Sequence, residues 1–396
     1  MAGEKELEIY HFWVGHEQAP IDHLIDKFEW KFPIRVHRNA MEWGYYSMIT
    51  KAKIMRGEPP DIMVYDIGQR VREPAKAGEL TDLSDLWKKE DLSRAFPEWI
   101  REACSHDGGI YGMPVKCFTY AVWYLKDTFQ KYGITPPETW DEFLEVCRRF
   151  KKAGIPPVVA SGWEVNIWFE NILARVTGPK FYNRLMAGEE SWTDSKVIEA
   201  YEILRELVKE FFYPSPFSYS FRESWAALNN RMAGMQLQGD WVNGMWRRGY
   251  RYQPGRDFDY FLVPPLSGKG SAVMVTGGNV WAVPTGAPHI EEAKTFLRFA
   301  GSLEAQNLLA SEGVGIMART DVPNSSYDPI SQKLMADLKR NPSVLQMDAL
   351  LPSSVASVEN LQQMQVVLMP RLSRANIKRL ASEIQAAVEK TKRKGG

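Results

Sequence analysis

The chain has little cysteine, little histidine, no net charge and no long apolar run. Its three cysteines in 396 residues, Cys104, Cys117 and Cys147, form at most one disulfide. Their spacing matches no metal-binding pattern. One bridge with a spare thiol and three reduced thiols are both open, and either way the core holds the fold. The six histidines (His11, His16, His23, His37, His106 and His289) contain no HExxH. They read as surface or locally hydrogen-bonded groups, so neither a metal nor a cofactor is expected. Basic and acidic residues balance at 49 each, which leaves no global field to draw nucleic acid or an anionic membrane. The run Lys392 to Lys394 reads as a solvated helix end. No apolar stretch approaches the ~18 residues that a membrane-spanning helix needs. There is no GxSxG nucleophile elbow and no GxxxxGK[ST] phosphate loop.

The opening, Met1 to Glu6, runs into an extended segment with no apolar signal region. Two readings stand: a cytoplasmic chain, or the mature form of an exported one whose leader is replaced by Met-Ala-Gly.

What is present is a globular composition, 44% apolar and 25% charged, in a length that suits two domains. The first third alternates. Leu7 to Trp13 is extended, and Ile21, Leu24, Ile25 and Phe28 recur at helical spacing as far as Phe32-Pro33. Ile34 to Val36 is extended, Tyr46 to Met55 helical, and Asp61 to Tyr65 extended again. This βαβαβ order predicts a parallel-type α/β sheet with ligands at the carboxyl ends of its strands. Trp13, Glu42, Trp43 and Asp66 fall at those ends. Further on, strands are expected over 120–125, 260–263 and 279–283. Helices are expected over 141–151, 195–210, 225–232 and 290–301, the first opened by a Thr139/Glu142 capping box.

Four segments are more specific: Gly57-Glu58-Pro59-Pro60-Asp61-Ile62, Pro136 to Phe143, Met232 to Trp241, and Gly277 to Pro284. In this order and over nearly the whole length, the chain resembles the family 1 extracellular solute-binding proteins of ABC importers. The stretches Glu8 to Glu17, Phe96-Pro97 and Gly108 to Gly112 are similar to those of glucose- and other monosaccharide-binding members. The resemblance implies an α/β, type II periplasmic-binding-protein fold, two α/β lobes joined by a three-crossing hinge. The lobes would be residues 1–112 with 267–317 and 113–266 with 318–396, with crossings near 112–115, 263–266 and 317–320. It implies a carbohydrate ligand between the lobes, ligand-induced closure, and ABC transporter membrane permease subunits as partners. It also implies a monomer, an extracellular or periplasmic location with a membrane anchor open in the native precursor, and no enzymatic activity.

Sugars offer apolar C–H faces and a rim of hydroxyls, so a site for them needs flat aromatic rings beside short polar groups. Trp13 with Glu17, Glu42 with Trp43, and Asp240 with Trp241 are such pairs among the 14 tryptophans. The resemblance carries the ligand role to Trp13, Glu17, Asp66, Lys116, Phe118 and Trp241. Asn279, with Gly278 before it, sits near a family aspartate that binds hydroxyls. Trp43 and Trp168 are further candidates, whereas Trp87, Trp99, Trp140 and Trp192 read as structural. Val64, Asp66 and Phe118 stand where monosaccharide-binding relatives often carry Gln, His and His. The sugar therefore stays open between a monosaccharide such as glucose, another pyranose and a disaccharide. Two alternatives remain: a glycoside hydrolase using Glu17 and Asp240, or a carbohydrate sensor without a transport role.

Overall fold

The computed structural model describes residues 5–212, 215–266, 272–369 and 372–395. The opening Met1 to Glu4 and the expected lobe boundary at 267 lie outside the described residues. The strands are β1 (Lys5–His11), β2 (Ile34–Ala40), β3 (Ile62–Asp66), β4 (Ser105–His106), β5 (Gly109–Ile110) and β6 (Met113–Leu125). They continue with β7 (Gln236–Gly239), β8 (Phe258–Phe261), β9 (Met274–Ala282), β10 (Ile316–Met317) and β11 (Ser343–Leu345).

The chain folds as two compact units. Residues up to Phe118, Asp240–Arg251 and Gly277–Gln332 make the first; Thr119–Gly239, Tyr252–Thr276 and Lys333 onward make the second. Asp240–Arg251 joins the first unit through local ties: Arg248 of the helix Trp241–Tyr250 donates to the His16 carbonyl at 2.7 Å, and Arg247 to that of Ser311 at 3.1 Å.

In the first unit β1 pairs in parallel with β2 and β3, and β3 pairs antiparallel with the C-terminal part of β9. The two β–β connections are the helices Gln18–Lys31 and Trp43–Met55, as the alternation requires. Helix Gln18–Lys31 forms because Ile21, Leu24, Ile25 and Phe28 make one apolar stripe, and all four are buried. It ends at Phe32, which precedes Pro33 and takes the extended backbone that a following proline favours. Strand β6 begins well before the expected 120, and nearly all of Met113–Leu125 is buried. Such a strand lacks apolar–polar alternation, so its first half has no period to read.

In the second unit β7 and β8 pair antiparallel with the later half of β6, and β11 pairs in parallel with the start of β9. The Thr139/Glu142 capping box is formed at the head of helix Trp140–Lys152. A second box, Ser220/Glu223, starts helix Phe221–Asn229 four residues earlier than periodicity indicates. Helix Glu164–Met186 is fastened to β7 by a buried carboxylate. Glu164 accepts from Ser161, from Gln236 at 3.0 Å and from Gln238 at 2.6 Å, and burial still raises its pKa to about 7. Cys104, Cys117 and Cys147 are all free thiols.

Candidate ligand-binding site

The candidate site is built inside the first unit around Lys116. This lysine sits in β6 with its side chain buried, although lysine is rarely buried without a partner. Its Nζ donates to the Val314 carbonyl at 3.2 Å. The same ammonium lies 5.9 Å from the ring centroid of Trp13 and 5.5 Å from that of Trp241. Two indoles therefore face one cation, a favourable arrangement because the ring faces are negative. Phe118 packs edge-on against Trp241 at 5.4 Å. Burial pushes the Lys116 pKa down, and Glu17, Asp240 and Asp66 pull it back up.

The carboxylates are tuned by the same contacts. Asp240, at the N-cap of helix Trp241–Tyr250, is buried, with hydrogen bonds from the Ile316 and Asp240 backbone amides. Burial raises its pKa to about 7 against the opposing pull of Lys116. Glu17 ends the short 3-10 turn Gly15–Glu17, and burial raises it too, opposed by Lys116 and Arg248. Asp66 accepts from Asn279 Nδ2 at 2.6 Å across the β3–β9 ladder.

Trp13, Glu17, Asp66, Lys116, Phe118, Asp240, Trp241 and Asn279 are thus brought into one unit, most of them onto one charge cluster. Gly278 has a packing reason for being glycine. A Cβ there would stand 3.0 Å from the Lys116 carbonyl oxygen and 3.3 Å from Ile67. Glu42 and Trp43 open helix Trp43–Met55. The Trp43 ring meets Phe12 edge-on at 4.9 Å and stacks with Tyr46 at 5.9 Å. Trp168 is a different matter. It was expected among the stacking rings, but it lies fully buried in the core of the second unit, between Phe143 and Phe212. Apolar spacing along helix Glu164–Met186 had no way to separate a core face from a ligand face.

Of the tryptophans read as structural, Trp87 and Trp192 are buried, Trp140 packs on Phe143 at 5.0 Å, and Trp99 is largely exposed. His11 is not a surface histidine. It is buried beside Trp13 and Trp281, and burial lowers its pKa to about 4 against the opposing pull of a local hydrogen bond with the Trp13 backbone.

Three supporting residues escaped the sequence reading. Trp281, fully buried, packs edge-on against Trp13 at 5.2 Å; its signal was the Gly277–Pro284 motif itself. Phe12 bridges Trp13 and Trp43. Arg248 ties the turn that bears Glu17 to helix Trp241–Tyr250, and burial lowers its pKa to about 10. It stands seven residues after Trp241, two turns along one helix face, which is the signal that was available.

Among the described residues no group of three or more His, Cys, Asp or Glu side chains is placed to hold a metal ion, and no helix is long and apolar enough to cross a membrane.

An uncharacterized ABC transporter extracellular-binding protein of Pyrococcus horikoshii is 28% identical over 98% of this chain and 88% of its own length. A "Probable sugar-binding periplasmic protein" of Mesorhizobium japonicum is 26% identical over 86% of this chain and 82% of its own. Among solved structures, a chitin oligosaccharide binding protein superposes with a TM-score of 0.86 at 22% identity, covering 98% of this chain and 99% of that one. The fold is thus the α/β periplasmic-binding-protein fold that the sequence implied, and these relatives are receptors rather than enzymes. Residues 39–307 match the bacterial extracellular solute-binding proteins, and the chain belongs to that family.

Proposed function

We propose that this protein captures a neutral carbohydrate on the Trp13–Lys116–Trp241 cluster and hands it to the membrane permease of an ABC importer. One observation carries the reading: a buried ammonium set between two indole rings, with Asp240, Glu17 and Asp66 acting on it. An indole face suits the C–H face of a pyranose. Lys116 uses one of its three donors on Val314, leaving two for hydroxyl oxygens, while the carboxylates accept hydrogen bonds from hydroxyl groups. Hydrogen bonds between a charged group and a neutral hydroxyl contribute about 1.5–3 kcal/mol each. The mixed signs argue against a charged ligand, since an anion meets Glu17 and Asp240 and a cation meets Lys116 and Arg248.

Within this reading the protein works outside the cytoplasmic membrane, as a monomer, with an anchor in its precursor. Capture is coupled to closure of two lobes, residues 1–112 with 267–317 and 113–266 with 318–396. Small-angle scattering with and without sugar tests the closure, and stimulation of the reconstituted importer's ATPase tests the hand-over. Binding itself is tested by a thermal-shift panel of neutral sugars, with sugar phosphates and uronates as controls. At about 1 mM, a micromolar ligand adds roughly 4 kcal/mol and moves the midpoint by several degrees. A shift with neutral sugars alone supports the proposal; a shift only with the charged ones refutes it.

A further inference from the structure

We infer that the ligand spans at least two sugar rings, and that Trp43 carries an outer one. This rests on the carbohydrate reading above. A row of aromatic rings runs outward from the Lys116 cluster. Trp13 touches Phe12 at 5.3 Å, and Phe12 meets Trp43 edge-on at 4.9 Å and 86°. Exposure rises along the row: Trp13 is buried, Phe12 half-buried, and Trp43 48% exposed.

Trp43 is exposed but braced. One face stacks with Tyr46 at an interplanar angle of 23°, and Phe12 abuts it. Tyr46 is itself fixed, since its hydroxyl donates to the Val64 carbonyl at 2.7 Å and accepts from the Val64 amide at 2.9 Å. Val64 pairs with Trp281 across the β3–β9 ladder, and Trp281 packs on Trp13. The outer ring and the inner cluster are therefore mounted on one rigid frame. A large ring held in place with half its surface in water is a preorganised platform, because little side-chain freedom is lost when something covers it. Glu42, directly before it at the helix N-cap, adds a carboxylate. A single pyranose, no wider than one indole, cannot lie on the inner cluster and on Trp43 with Phe12 between them. A second ring of the same chain can.

The test is calorimetry on the full chain with gluco-, galacto-, manno-, xylo- and N-acetylglucosamine series of one to four rings. Wild type is compared with Trp43→Ala, Trp43→Phe and Trp241→Ala. The tightest wild-type ligand should have two rings or more. Trp43→Ala should weaken it roughly tenfold or more, Trp43→Phe less, and the matching monosaccharide should bind the Trp43 variants as it binds wild type. A monosaccharide that binds as tightly as its longer homologues overturns the inference without reference to any variant. So does a folded Trp43→Ala protein with wild-type affinity for the longer sugar, while Trp241→Ala still abolishes binding; that pattern leaves the carbohydrate reading standing. No binding of any sugar by folded wild-type protein removes both.

Discussion

The ammonium of Lys116 sits 5.5 Å from the ring centroid of Trp241, and the carboxylate beside that ring, Asp240, belongs to the residue just before it. Charge, stacking face and acceptor therefore arrive together at the head of one helix, against a lysine on β6. Losing the ring should remove most of the affinity. Trp241→Ala is expected to cost on the order of 2–4 kcal/mol of binding, as aromatic hot spots do. Calorimetry with the best sugar checks it; wild-type affinity would mean that the site lies elsewhere.

Removing the cation instead exposes the electrostatic design. In Lys116→Met the buried Asp240 loses its opposing charge. Burial raises Asp240 to about 7, and without Lys116 it is raised further, so the variant's carboxyl stays protonated where the wild type ionises. The resulting loss should be negligible at pH 5, where Asp240 is protonated in both, and about 1 kcal/mol at pH 8. Urea unfolding at both values tests this, and an equal loss at each would contradict it.

The second unit carries its own pH dependence. Burial raises Glu359 to about 8, while Tyr201 and Gln363 donate to it. A carboxyl with a folded pKa above its unfolded value holds more protons in the native state. Its contribution to stability is therefore whole in acid, and it falls as pH rises from the ordinary carboxylate range through about 8. Glu359→Gln keeps an acceptor for both donors and cannot ionise. Its stability should match wild type near pH 4 and exceed it by a few kcal/mol at pH 9. A difference independent of pH would show that Glu359 does not titrate as its burial requires.

Trp168 and Trp192 are both fully buried and belong to the second unit. Either one changed to Ala should lower stability by about 3–5 kcal/mol through lost burial and the cavity left behind. Affinity, measured where the variants remain folded, should stay at the wild-type level. Weakened binding with a normal melting temperature would return Trp168 to the ligand.

Gly244→Ala reverses the usual helix rule. In an exposed helix alanine gains about 1 kcal/mol over glycine. Here a Cβ would run into the Gly313 carbonyl oxygen, which packs directly on helix Trp241–Tyr250. The variant should be less stable and should bind more weakly, because the helix that bears Trp241 must move away. A more stable protein in a melting experiment would mean that the helix shifts without cost.

Several features were legible because they are local. The stripe Ile21, Leu24, Ile25 and Phe28, the stop at Phe32-Pro33 and the Thr139/Glu142 box depend on neighbours within a few residues. The early part of β6 was not legible, since a strand buried on both faces has no alternation. Nor was the Ser220/Glu223 box, which opens its helix before the apolar stripe begins.

By itself, then, the sequence determined the βαβαβ opening, the two-domain scale and, through four ordered segments, the family. Those are matters of periodicity, capping and turn chemistry along the chain. Only the tertiary structure decided which tryptophans meet Lys116. Trp13 and Trp241 converge on it, whereas Trp168 is enclosed by Phe143 and Phe212. Tertiary structure also made His11 buried and neutral, brought in Trp281, and gave Asp240 a pKa near 7. Stacking, desolvation and charge coupling act through space between segments far apart in the chain, so no window of sequence contains them.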